Sequence, residues 1–371
     1  MHLSPPDVGQ MEISAVVAAL ESGWVAPAGP EIALFETEIA ACADRPHGVA
    51  LSSGTAALHL GLLALGVRAG DEVVVPTLTF GATAFAVKYL GAEPLFVDCE
   101  PDVWSLDVQL LRGLLEQRST EGRLPAAVVG VDLFGRTCDY DALEQVCAEY
   151  GVPLVLDSAE ALGGSFGSAP AGSRGRFAIF SFNGNKIITT SGGGALVTDD
   201  AEMASRVRKW ASQSRESLPW YEHEEIGFNY RMSNVLAALG RAQLARLPEI
   251  IQRRRHIRDR YAGVLQDVPG VTVMGDPPWG RSNGWLTTVT LDNDRYPAAA
   301  ERVRKALDAE DIEARPIWKP MHRQPVFAQA QAALSGVADR AFRDGLCLPS
   351  GTGMSDADIE RVLSVVVDEL T

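Results

Sequence analysis

The sequence predicts an α/β protein: a largely parallel sheet covered on both faces, followed by a smaller α+β domain. Three observations carry that expectation. Short β-branched runs alternate with longer Ala/Leu-rich stretches through the first two-thirds of the chain, as parallel strands joined by crossover helices do. The strand runs are nearly continuous in apolar residues, which marks strands buried on both faces. Beyond about Leu247 the pattern breaks up, and this sets residues 1–247 apart from residues 248–371.

In chain order, the strand candidates are residues 72–76, 94–98, 126–133, 153–157, 177–182 and 194–198, with helical patterns at 55–65, 82–90 and 140–150. The second part opens on a charged helix over 248–265. A strand at 286–291 and helices at 298–309 and 356–370 follow Pro/Gly-rich connections. The basic run Arg253-Arg254-Arg255 reads as a solvated face or a brace between domains. No internal repeat or low-complexity segment interrupts the chain.

Composition narrows the function. A chain of 371 residues with 46% hydrophobic content buries more than one small core. A formal net charge of −15 argues against a general nucleic-acid binder, so an anionic ligand must meet a local cluster of Arg and Lys. The five cysteines are widely spread, with no metal-knuckle or redox spacing, and read as reduced thiols; no metal site is expected. The start Met1-His2-Leu3-Ser4-Pro5-Pro6 lacks a basic, then apolar, export pattern, and no apolar run reaches membrane-spanning length. A cytoplasmic protein with no membrane partner is the expectation.

Several common motifs are missing or lack their context. No Gly-x-Gly-x-x-Gly opens a helix after a strand, and no Walker-type loop ends in Gly-Lys-Ser/Thr. Gly163-Gly164-Ser165-Phe166-Gly167 matches the serine-hydrolase expression Gly-x-Ser-x-Gly, but the preceding strand ends near Asp157 and Ser168-Ala169-Pro170 follows, which is no strand-to-helix elbow.

Three segments carry chemistry. Val49-Ala50-Leu51 runs into Ser53-Gly54-Thr55 and an Ala/Leu helix, leaving backbone N–H groups where an anion could sit; alone, an ordinary N-capped helix explains it equally well. Asp157 and Glu160 follow a buried strand, where open α/β sheets place ligand chemistry; a helix cap or ion pair is the even alternative. Lys186, in Ser181-Phe182-Asn183-Gly184-Asn185-Lys186, stands between small residues and the run Gly192-Gly193-Gly194; an isolated lysine is ordinarily a surface charge. Together the three supply what pyridoxal 5′-phosphate (PLP) chemistry requires: a Schiff-base lysine, an acid for the pyridine nitrogen and a phosphate cradle.

The motif order is also familiar. The segments Ser53-Gly54-Thr55-Ala56-Ala57-Leu58-His59-Leu60, Asp157-x-Ala159-x-x-Leu162-Gly163, Ser181-Phe182-x-x-Asn185-Lys186-x-x-Thr189-Thr190-x-x-Gly193-Gly194 and Gly227-Phe228-Asn229-Tyr230-Arg231-Met232 resemble the DegT/DnrJ/EryC1/StrS family of PLP-dependent sugar aminotransferases, essentially end to end. The stretches 183–194, 315–322 and 347–352 are most similar to the bacillosamine-pathway branch, whose C4 aminotransferases act on UDP-4-keto-6-deoxy-N-acetylglucosamine.

The resemblance implies the aspartate aminotransferase-like fold type I of PLP-dependent transferases and a homodimer with shared active sites. It implies a nucleotide-linked keto sugar (UDP or dTDP) as substrate, L-glutamate as donor, and pyridoxamine 5′-phosphate as the intermediate cofactor form. Lys186 then bonds the cofactor and shuttles the proton, and Asp157 faces the pyridinium nitrogen. Gly54, Thr55 and Ser181 bind the phosphate, which Asn229 reaches from a second subunit, while Phe80 stacks on the ring. Glu160 stands where many members carry His or Gln; near the cofactor's phenolic oxygen it would meet like charge, so it should be protonated or hydrogen-bonded elsewhere. Arg231, Arg315, Lys319, His322 and Arg323 are the candidate nucleotide donors, with Trp24 and Trp318 as candidate stacking groups. C3 amination of a keto sugar, or a non-catalytic PLP-fold regulator, is the alternative function.

Overall fold

A computed structural model describes residues 1–370. Helices α1 (Gln10–Glu21) and α2 (Pro30–Cys42) precede strand β1 (His47–Leu51), helix α3 (Gly54–Ala64), β2 (Glu72–Pro76), α4 (Gly81–Tyr89) and β3 (Glu93–Val97). The alternation continues through α5 (Val108–Thr120), β4 (Ala127–Val131), α6 (Tyr140–Tyr150) and β5 (Leu154–Asp157). The two-residue strands β6 (Ser165–Phe166) and β7 (Ala169–Pro170) lead to β8 (Ala178–Ser181), β9 (Gly194–Thr198), α7 (Ala201–Ala211) and the long α8 (Asn234–Leu265). After it come β10 (Val271–Val273), β11 (Gly280–Arg281), β12 (Thr287–Leu291), α9 (Ala299–Ala309), β13 (Arg315–Pro316), β14 (Ala332–Ala333), α10 (Val337–Asp344), β15 (Gly345–Leu348) and α11 (Asp356–Leu370).

Eight strands form the main sheet in the order β1-β9-β8-β5-β4-β2-β3-β14. Every residue of β4 and β9 is buried, as a sheet covered on both faces requires. Neighbours from β8 through β14 pair in parallel, whereas β9 runs antiparallel to both β1 and β8. The segment from β8 to β9 contains no helix, and without a crossover the chain returns antiparallel. One large hydrophobic cluster spans this sheet and its helices. A second gathers the antiparallel sheet β10-β12-β15-β13 with α9, α11 and the last turns of α8.

Helix α8 departs from the expected 248–265. It begins at Asn234 and carries Pro248 in its interior, so the expected division at 247/248 falls inside one 32-residue helix. Pro248 cannot donate to the preceding turn, but contacts on either side hold the helix through it. Upstream, Arg241 pairs with Glu31 and Glu38, and Arg246 with Asp7 and Glu12. Among the described residues, no helix is long and apolar enough to cross a membrane.

The parallel topology sends the carboxyl ends of β1, β5 and β8 to one edge of the sheet. Open α/β sheets bind their ligands there. The chain start also reaches this region: Met1 accepts a hydrogen bond from the Glu313 N–H, and Leu3 one from the Ser350 N–H.

Candidate active site

At the end of β1, Ser53 caps α3, its hydroxyl accepting from the Ala56 N–H at 3.0 Å. The first amides of the helix, those of Gly54 and Thr55, have no intrahelical acceptor and carry the positive end of the helix dipole. Gly194 lets β9 pass close by, because a Cβ there would lie 2.4 Å from the Gly54 nitrogen. Ser181, at the end of β8, lines the same cavity.

Asp157 ends β5 and is 5% exposed. One carboxylate oxygen accepts from Thr83 Oγ1 at 2.7 Å and the other from the Ala159 N–H at 3.2 Å. Thr83 in turn shares a hydrogen bond with Thr79. Burial pushes the Asp157 carboxyl above its usual range; those two hydrogen bonds and the nearby Lys186 charge offset part of the effect.

Glu160 is also buried. Its Oε1 accepts from Lys186 Nζ at 3.0 Å and its Oε2 from the Phe134 N–H at 2.8 Å. Burial raises this carboxyl too, against the pull of Lys186 and the Phe134 amide. The expectation for Glu160 was a protonated or otherwise hydrogen-bonded acid, and here it is the ion-pair partner of Lys186. On another side, the Lys186 ammonium lies 4.2 Å from the ring centre of Trp285, within cation–π range.

These groups line a cavity of about 740 Å³, together with Ser53, Gly54, Thr55, Phe80, Ser181, Arg315 and Trp318. Phe80 is 59% exposed and meets Trp318 edge to face at 5.7 Å, while Trp318 packs on Phe134 at 4.7 Å. The donors suit PLP. Asp157 is a buried carboxylate with hydrogen-bond donors but no salt bridge among the described residues, and a protonated ring nitrogen would supply one. The helix N-terminus beside Ser181 suits the phosphate, and Lys186 supplies the amine.

Other expected residues lie outside that lining. Arg231 is tied to Glu36 at 2.6 Å and to the Ala50 carbonyl, which occupies its guanidinium away from the cavity. Trp24 is 52% exposed, and its carbonyl accepts from Asn234. His322 bonds Thr77 Oγ1 at 2.7 Å and approaches Asp339 at 3.5 Å; Arg323 also pairs with Asp339. Lys319 is half-buried outside the lining, and its carbonyl accepts from Gln324. Asn229 is exposed and bridges Ser212. Within the lining, Arg315 pairs with Glu313 at 2.7 Å.

Sequence reasoning missed part of the wall. Residues 2–6 line the cavity, as do Trp285 and Cys347. Trp285 stood one residue before an expected strand, next to Gly284, and an aromatic beside a glycine at an element's end was the available signal. Nothing in residues 2–6 pointed to a ligand.

Residues 6–367 match the model of the DegT/DnrJ/EryC1/StrS aminotransferase family. The chain belongs to that family. EpsN of Bacillus subtilis (strain 168), provisionally named a pyridoxal phosphate-dependent aminotransferase, is 43% identical over 99% of this chain and 95% of its own. A GDP-perosamine synthase of Caulobacter vibrioides is 36% identical over 99% and 97%. Among solved structures, the PLP form of Spr1654 from Streptococcus pneumoniae, a provisionally assigned sugar aminotransferase, superposes with a TM-score of 0.90 over 100% of both chains at 28% identity. This member of the family is accordingly a PLP-dependent sugar aminotransferase of fold type I.

The buried ion pair makes a stability prediction. Glu160→Leu leaves the Lys186 ammonium without its carboxylate and should lower the unfolding free energy by about 3 kcal/mol. An unchanged denaturation midpoint, read by urea titration, would mean that the pair contributes nothing to the fold.

Proposed function

We propose that this enzyme aminates a nucleotide-linked 4-keto-6-deoxy sugar at C4 with L-glutamate as donor, and that UDP-4-keto-6-deoxy-N-acetylglucosamine is its substrate. The observation that carries this reading is the meeting of Lys186, Glu160 and Asp157 on the wall of one cavity beside the α3 N-terminus. The branch and the sugar rest on the resemblance of residues 183–194, 315–322 and 347–352 to the bacillosamine-pathway enzymes.

Bound PLP supplies an electron sink and a carrier for the amino group. The Gly54 and Thr55 amides and the Ser181 hydroxyl hold its phosphate. Asp157 keeps the ring nitrogen protonated, with Thr83 fixing one carboxylate oxygen. Phe80 covers one face of the ring. Lys186 Nζ would be the amine that holds the cofactor and the base that carries the proton between the reacting carbons. Glu160 would pair with Lys186 Nζ whenever that amine carries the proton, and so hold it in place. At the mouth, Arg315 meets the substrate's diphosphate and Trp318 stacks on sugar or base. Trp24, Arg231, Lys319 and His322 contact substrate only if the second subunit or closure of the site brings them in.

Asn229 is exposed in its own subunit and reaches the phosphate of the partner's cofactor, so the working unit is a homodimer with shared sites. The five free cysteines suit a reducing cytoplasm.

Two experiments test this reading. Incubation with L-glutamate and a panel of UDP- and dTDP-linked keto sugars should release 2-oxoglutarate fastest with UDP-4-keto-6-deoxy-N-acetylglucosamine and give a 4-amino product by NMR. Amination at C3, or no turnover of any 4-keto sugar, contradicts it. For the shared site, Asn229→Ala should itself impair turnover, by roughly 1.5–3 kcal/mol as for truncating a hydrogen bond to a charged group. Mixing it with inactive Lys186→Ala should then restore activity in heterodimers to about half the wild-type value, since one of two symmetric sites carries neither lesion. Dead heterodimers built from an impaired Asn229→Ala chain would confine the site to one subunit.

A further inference from the structure

The basic run of α8 does more than face solvent. Arg253 bonds the Met354 carbonyl and Arg255 the Ser282 carbonyl, but Arg254 is 1% exposed and has no salt-bridge partner among the described residues. Its Nη1 lies 2.7 Å from the Trp285 carbonyl, 3.1 Å from Ser4 Oγ and 3.1 Å from the Ser350 carbonyl. A guanidinium buried without a carboxylate is costly, and burial pulls this one down to about 10.

The three oxygens belong to separate segments that converge behind Lys186. Trp285 Nε1 donates to the Asn185 carbonyl at 2.6 Å, and Ser4 Oγ donates to the same oxygen at 2.9 Å. The peptide entering Lys186 is thus held by two donors, each anchored to Arg254. Asn283 adds a second link: its Oδ1 accepts from the Trp285 N–H at 2.8 Å, and its Nδ2 donates to the Glu160 carbonyl at 2.8 Å. The indole that closes this network sits against the Lys186 ammonium, which also pairs with Glu160.

We propose that Trp285 is a further residue of the reaction site, fixing the Lys186 amine between its ring and Glu160, and that Arg254 is the positioning residue that seats it. The proposal rests on the reading of Lys186 as the amine that bonds PLP. Trp285→Phe keeps an aromatic face but loses the Nε1 donor and part of the ring volume; Trp285→Leu loses donor and aromatic face alike; Arg254→Lys keeps a charge but not the planar fork.

Two quantities are read on the full chain: kcat and KM for the sugar nucleotide, and the rate at which cofactor-free protein gains the visible absorbance of lysine-bonded PLP. Trp285→Phe should lower both rates roughly fivefold, the size of one lost hydrogen bond, with KM near wild type. Trp285→Leu should lower them about 100-fold, as misplacing a reacting group does, with Arg254→Lys between the two. Wild-type kcat and PLP capture in folded Trp285→Phe would overturn the proposal, and that variant decides the matter if the others fail to fold. PLP capture needs no sugar, so a wrong substrate leaves this test intact, while PLP capture by Lys186→Ala would instead remove the reading of Lys186.

Discussion

Asp157 and Glu160 stand at the end of one buried strand, and a single ammonium, that of Lys186, pairs with Glu160 and offsets the burial of Asp157 only through its nearby charge. Burial alone disfavours two ionised carboxylates this deep, and both carboxyls are accordingly pushed above their usual range. The ion pair of Lys186 with Glu160 and the hydrogen bond from Thr83 to Asp157 offset part of that cost. The remainder leaves the site receptive to a second positive charge, which the protonated ring nitrogen of PLP would provide.

The fold serves this electrostatic arrangement. Parallel pairing puts the ends of β5 and β8 side by side, so that Asp157 and Ser181 share an edge. Gly194 allows the antiparallel β9 to run against the start of α3, which brings the helix amides to that same edge. From the other side, α8 carries Arg254 into contact with the chain start, the Trp285 segment and the end of β15. The cavity is therefore closed by segments far apart in sequence, and its chemistry depends on how they are tied together.

Much of this was legible in the sequence, because its signals were local. Strands β2 and β9 and helix α6 fall on the residues expected, since each is bounded by a clear change of pattern. Lys186, Asp157, Glu160, Gly54, Thr55, Ser181, Phe80, Arg315 and Trp318 all line one cavity. What escaped was set by tertiary contacts. The expected helix over 248–265 begins instead at Asn234, where salt bridges to α1 and α2 hold the turns ahead of Pro248. Arg231 sits in a motif segment, yet buried Glu36 claims its guanidinium. Trp285 and residues 2–6 gained their place only through hydrogen bonds spanning 100 residues or more.

Lys186, paired with buried Glu160 and close to Asp157, is proposed as the amine that carries PLP. Borohydride reduction of the PLP-loaded protein, followed by digestion and mass spectrometry, locates that bond directly. The account predicts the phosphopyridoxyl group on the peptide containing Lys186. Its appearance on another lysine, or on none, would contradict it.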